Sequence, residues 1–90
     1  MEISFDEAKR QKILLSRGLD FKDAWKVFEG LEFTTEDRRH DYPEIRFQTV
    51  GSLEDRLVMV IWTPTATGKR IITMWKCNDR EQDEFRRRMG

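Results

Sequence analysis

His40, Glu44 and Arg46 fall within one short stretch of the chain, and Arg70 and Lys76 bracket a later strand-like run. These side chains are the ones whose types could do chemistry together. Cleavage of a phosphodiester by a neighbouring hydroxyl, without a metal, needs a base for that hydroxyl and cations for the charge on the phosphorane. It also needs an acid for the departing oxygen. His40 or Glu44 could be the base, and Arg46, Arg70 and Lys76 could stabilise charge. In a regular strand Arg70, Ile72, Met74 and Lys76 share a face, with the two cations roughly 20 Å apart. That spacing is too long for one phosphate but suits a bound chain. The same alternation puts Trp75 on the face opposite Arg70, where it could stack a base if that face is open.

Each residue also has a plainer reading. Arg46 and Arg70 could simply pair with carboxylates at strand edges. A lone histidine in a charged loop is expected in solvent, and it supports little by itself. Trp25 reads as core on a helix face, and Trp62 and Trp75 as core on strands. Arg86-Arg87-Arg88 complement the C-terminus of a helix without any ligand.

The elements that must position these residues follow from period and caps. Ile3 and Phe5 suggest a short first strand. Asp6 can cap a helix towards Arg17, and Gly18 can end it in a left-handed conformation. Asp20 can cap a second helix in which Phe21, Ala24, Trp25 and Phe28 share a face, with Gly30 as its stop. Leu31, Phe33 and Thr35 then alternate as a strand, before a charged stretch from Glu36 to Tyr42 and Pro43. Glu44 to Val50 is strand-like and is expected to stop at Gly51-Ser52. Arg56 to Thr63 is apolar on both alternating faces and belongs in the centre of a sheet. Pro64 to Gly68 reads as a hairpin turn and Lys69 to Lys76 as its return strand. Asn78 with Glu81 resembles a capping box opening a last helix that contains Phe85 and Met89. This order predicts a two-layer α+β domain over residues 1–90: a short strand, two helices, a three- to four-stranded antiparallel sheet and a C-terminal helix.

Composition narrows the classes. With 17 basic and 17 acidic side chains the net charge is zero, so bulk charge gives no argument for nucleic acid. The halves differ: residues 1–45 hold 8 Lys/Arg and 11 Asp/Glu, and residues 46–90 hold 9 and 6. A basic surface on the second half is therefore allowed. One cysteine, Cys77, excludes an internal disulfide, and one Cys with one His cannot build a Cys/His zinc site. No phosphate-cradling glycine loop, nucleophile elbow or metal motif occurs, so no cofactor is expected. The start Met1-Glu2-Ile3-Ser4 does not read as a secretory signal, and Leu57–Trp62 is too short to span a bilayer. The expected compartment is the cytoplasm.

Three segments in order resemble the BrnT family of bacterial toxins. The opening FDEAKRQKILLSRGLDFKDAWKVF is similar through Asp6, Ala8, Lys9, Gly18, Phe21, Ala24, Val27 and Phe28. The segment EDRRHDYPEIRFQTVG is similar through Asp37, Arg39, His40, Glu44, Arg46 and Gly51. The end RIITMWKCNDREQDEF is similar through Arg70, Ile71, Ile72, Lys76, Arg80 and Glu81.

The resemblance implies a RelE-like α+β fold and a toxin that cleaves RNA without metal. With that activity in view, His40, Glu44, Arg46, Arg70 and Lys76 are the catalytic candidates, and Lys9, Arg17, Arg39, Trp75 and Arg80 are the candidate RNA contacts. It further implies neutralisation by a small BrnA-like antitoxin, through which the complex reaches promoter DNA only indirectly. Where the family usually has Asn and His in the first helix, this chain has Ile13 and Arg17. Thr73-Met74-Trp75 stands for the usual Ser-Ala-Arg, and Phe85 for the usual Tyr. Arg17 keeps a cation but does not transfer protons near neutral pH. These departures define the alternative: a module of the same fold that binds an antitoxin, or RNA, with weakened or lost cleavage.

Overall fold

The computed structural model describes all residues from Met1 to Gly90. Its elements are β1 (Glu2–Phe5), α1 (Glu7–Arg17), a single 3-10 turn (Phe21–Asp23), α2 (Ala24–Glu29), β2 (Glu32–Glu36), β3 (Phe47–Leu53), β4 (Arg56–Pro64), β5 (Gly68–Lys76) and α3 (Asp79–Met89). The strands form one sheet in the order β1-β5-β4-β3-β2. β2 to β5 are antiparallel neighbours, and β1 runs parallel to β5.

The helix boundaries follow from their caps. The Asp6 carboxylate accepts from the Lys9 amide at 3.0 Å and opens α1. Gly18 closes α1 at φ 69°, donating its amide to Leu14 O. Asn78 and Glu81 form both halves of a capping box at the start of α3. Between the first two helices, Arg10 makes a bidentate bond to Asp20, Nε to Oδ1 at 2.7 Å and Nη2 to Oδ2 at 3.0 Å. Asp20 also accepts from the Lys22 amide at 2.9 Å and so caps the 3-10 turn.

Those bonds to Arg10, opposed by burial, hold the Asp20 carboxyl at about 2, against an ordinary 3.8. A depressed carboxyl pKa stabilises the fold above the unfolded value and loses that stabilisation as pH falls towards the folded one. Denaturant titrations of wild type and Asp20→Asn should therefore differ by a constant amount above about pH 5. The difference should shrink between pH 4 and pH 2.

Two apolar clusters lie on opposite faces of the sheet. The larger one joins Ile13, Phe21, Ala24 and Val27 from the helices to Val58, Val60, Trp62, Ile71 and Met74 from the strands. The smaller contains Val50, Met59, Ile61 and Cys77, with Ile72, Trp75 and Phe85 packed against it. β4 contributes to both and sits in the middle of the sheet, as its unbroken apolar run predicts.

Several sequence expectations are corrected. The sheet has five strands and is mixed, because β1 joins it in parallel. Phe85 brings α3 onto the face away from α1 and α2, so helices lie on both sides of the sheet instead of in two layers. The second helix is split, and its buried face is Phe21, Ala24 and Val27. This phase leaves Trp25 46 % exposed. β3 starts at Phe47, so Glu44 and Arg46 belong to the preceding loop, and it passes through Gly51-Ser52 to Leu53. Gly51 is a packing position: a Cβ there would lie 2.8 Å from Val27 Cγ1. The actual turn is Glu54-Asp55, with φ 52° and 62°, the two-residue connection favoured by strand twist.

Candidate functional site

β5 sets the orientation of the site, and it is not regular. Its register with β4 shifts from Ile61 opposite Thr73 to Trp62 opposite Ile71, so Ile72 is an extra residue, a β-bulge. A bulge reverses the alternation beyond it. Paired residues share a face, and Val60, Trp62, Ile71 and Met74 all belong to the α2 side. Arg70, opposite Thr63, and Trp75, opposite Met59, therefore share the other face, while Lys76, opposite Val58, lies on the α2 side. The regular-strand expectation is thus overturned twice. Arg70 and Trp75 are on one face, and Arg70 and Lys76 are not. Lys76 instead borders a cleft shared with Asp20, Asp23, Glu54 and Arg56.

β1 covers β5 only from Gly68 to Ile71. Beyond that the edge of β5 is met by α1. Arg17 Nη1 donates to Met74 O at 2.7 Å and to Thr73 Oγ1 at 3.2 Å, which places the end of α1 beside the free edge of β5. The residue departing from the family pattern here has a local role in closing a strand edge.

The other wall is the loop 37–46. Its neck is closed by the Asp37 amide donating to Arg46 O at 2.8 Å, and Thr63 Oγ1 tethers Ile45 O at 2.7 Å. The buried Asp37 carboxylate organises the interior. It accepts from Arg39 Nε at 2.8 Å and Nη2 at 2.9 Å, and from the Tyr42 hydroxyl at 3.2 Å. The Arg39 bonds, against burial, push its pKa below the usual carboxylate value. Tyr42 then becomes a platform: Arg46 stacks 4.2 Å from its ring centroid, and His40 meets it edge-on at 5.6 Å. Glu44 accepts from Arg46 Nε at 2.8 Å. The loop so gathers His40, Glu44 and Arg46 around one aromatic ring.

The two walls lie within electrostatic reach of one another. The Lys9 ammonium has a pKa below the ordinary lysine value, first because of burial and next because of the Arg46 guanidinium, with Arg17 and Lys12 adding to the repulsion; Asp6 opposes it. Cations from α1 and from the loop therefore share one field. A hollow of about 560 Å³ lies along α1, lined by Lys9, Lys12, Ser16, Arg17 and Thr73 among others.

Of the residues singled out in the sequence, the fold places Lys9 and Arg17 along one hollow, puts Lys9 in the field of Arg46, and holds His40 and Glu44 with Arg46 on one loop. Arg70 lies on the adjoining face of β5, opposite the Thr63 that tethers this loop. Arg46 is paired with Glu44, as the plainer reading had it, but Arg70 enters no ion pair. Arg80 lines a different groove, between α3 and the strands bearing Phe33 and Met59. Trp75 is closed: Arg39 covers its ring at 5.2 Å, and its Nε1 donates to Glu81 at 3.2 Å. Base stacking on Trp75 would require Arg39 to leave. Tyr42, Lys12 and Thr73 were missed by the sequence reading. Only the tyrosine had a local signal, its place between His40 and Glu44. No three His, Cys, Asp or Glu side chains converge to hold a metal ion. The Cys77 thiol, buried and near Glu81, is pushed up to about 12 and is unreactive.

Against this geometry, the family model for BrnT, the ribonuclease toxin of type II toxin-antitoxin systems, matches residues 5–81. The chain belongs to the BrnT family. The match spans α1, the loop and β5, which carry the cation cluster, and ends in the first turn of α3. No curated individual protein matches. Membership makes this a ribonuclease-toxin chain of a system that includes an antitoxin partner. No helix is long and apolar enough to cross a membrane.

Proposed function

We propose that this BrnT-family chain is a metal-independent endoribonuclease, on a RelE-like α+β scaffold, held inactive by a BrnA-like antitoxin. The observation that carries this reading is the gathering of Arg46, His40 and Glu44 around the Tyr42 ring, with the Lys9 ammonium of α1 in the field of Arg46. Like charges gathered this way repel one another and are relieved by an anion. A phosphodiester supplies that anion, and the loop supplies a group for proton transfer next to it.

In this reading Arg46 and Lys9 hold the scissile phosphate, and Arg70 contacts the strand beside it. His40 takes the proton from the ribose 2′-hydroxyl. The 2′-oxygen attacks phosphorus as the bond from phosphorus to the 5′-oxygen breaks, and the departing 5′-oxygen takes a proton from solvent water. The products are a 2′,3′-cyclic phosphate and a 5′-hydroxyl. Glu44 is fixed on Arg46 and orients it; acting as base instead would break that bond. Lys76 has no part, since it faces away from Arg70 and borders the separate cleft with Asp20, Asp23, Glu54 and Arg56.

The test reads the ends of the RNA fragments. Cyclic phosphate and 5′-hydroxyl ends, with cleavage lost in His40→Ala, are the expected result. A 3′-hydroxyl with a 5′-phosphate would overturn the mechanism, and full activity in His40→Ala would remove His40 from it.

A further inference from the structure

We propose that the hollow along α1 is a second phosphate subsite, where Lys12 and Arg17 hold a phosphate of single-stranded RNA beyond the one bound at Arg46. The inference rests on the ribonuclease reading for its ligand, but it concerns residues and a binding step that cleavage itself does not need.

Three observations carry it. First, α1 divides its charges by face. Glu7 is taken up by Arg10 at 2.6 Å and by Gln11 at 3.1 Å, and Arg10 also holds Asp20. Lys9, Lys12 and Arg17 take part in no ion pair. The one carboxylate lining the hollow, Asp6, is engaged in capping the Lys9 amide. Second, Arg17 is fixed in place. Its Nη1 is used on Met74 O and Thr73 Oγ1, and its Nε and Nη2 make no bond within the chain. A guanidinium anchored through one nitrogen keeps a fork of donors for an anion. Third, the cations are spread along the helix. Lys9 and Arg17 are eight residues apart, about 12 Å of axis, which no single phosphate can bridge. Lys12 falls between them. Successive phosphates of one strand fit this row, starting from the Arg46 end at Lys9.

An acidic protein segment would meet the same charges. The hollow gives it little apolar anchorage, since its two hydrophobic residues are Ala8 and the buried Ile13. Protein partners depend on such anchors, whereas a phosphate chain does not. RNA is therefore the ligand the surface suits.

The experiment measures binding of uncleavable 2′-O-methyl oligonucleotides, of two and of six nucleotides, over a range of salt. Wild type, Lys12→Ala and the control Lys22→Ala are compared; both positions changed are exposed. Lys12→Ala should weaken the hexamer about fivefold at low salt, leave the dimer unchanged, and lower the salt slope by about 0.7. Lys22→Ala should do none of this. The proposal is overturned if Lys12→Ala affects both lengths equally or neither, or if wild type binds the hexamer no better than the dimer. Because the ligand is uncleavable, this result is separate from that of the cleavage assay. Binding as expected beside intact RNA would sink only the ribonuclease reading.

Discussion

Arg46→Ala is expected to lower kcat/KM for RNA cleavage by about 10²–10³-fold, the usual consequence of removing one pre-positioned donor from a developing oxyanion. The position of this guanidinium is over-determined. Its guanidinium carbon sits 4.2 Å from the Tyr42 ring centroid, its Nε is taken by Glu44, and its carbonyl closes the loop through the Asp37 amide. Alanine keeps the backbone bond, so the fold should survive and Tm should fall by only a few degrees. Arg46→Lys keeps the charge but loses the planar stack and the fork. It should recover only part of the rate. Steady-state kinetics on a defined oligonucleotide checks both variants. Wild-type kcat/KM in Arg46→Ala would remove this residue from the site.

Gly68→Ala should be the most damaging small substitution for stability. A Cβ at Gly68 would lie 2.0 Å from Glu2 O and 2.5 Å from Glu2 N. Backbone atoms cannot yield at those distances while Glu2 stays opposite Gly68 in the parallel ladder. β1 must therefore move away, taking Ile3 and Phe5 out of the core they help to cover. An expected loss of about 3 kcal/mol corresponds to a Tm drop of about 12–20 °C for a domain of this size. Gly30→Ala is the control. Its new Cβ would meet only carbonyl oxygens at 3.7 and 3.9 Å, and Tm should hardly change. Calorimetry on both variants decides the point, and an unchanged Tm in Gly68→Ala would refute the tight β1–β5 contact.

What could be read from the sequence was local. Asp6, Gly18, Asn78 and Glu81 mark helix ends because a cap is satisfied within a few residues. The central place of β4 followed from its two apolar faces. The errors come from interactions that a short window does not contain. β1 pairs with residues more than sixty positions away. Val27 and Trp25 are exchangeable on a helical wheel until the sheet beneath them is known, and Val27 is the one packed against Gly51. Glu54-Asp55 lacks the usual Asn-Gly signature of its turn. The bulge at Ile72 leaves no mark in an apolar run, yet it decides that Lys76 and Arg70 part company. For the site, the residue types around His40 and Arg46 were legible, but their link to Lys9 and Arg17 required the uncovered edge of β5.

The most direct measurement is cleavage of total RNA by the purified protein in excess EDTA, with Arg46→Ala, Arg70→Ala and Lys76→Ala run beside wild type. The site described here predicts cleavage by wild type and Lys76→Ala, and its loss in Arg46→Ala and its reduction in Arg70→Ala. Intact RNA with folded wild type, with and without ribosomes, would contradict the enzyme and favour a module that only binds. Cleavage that survives in Arg46→Ala but not in Lys76→Ala would place the chemistry on the opposite face of the sheet.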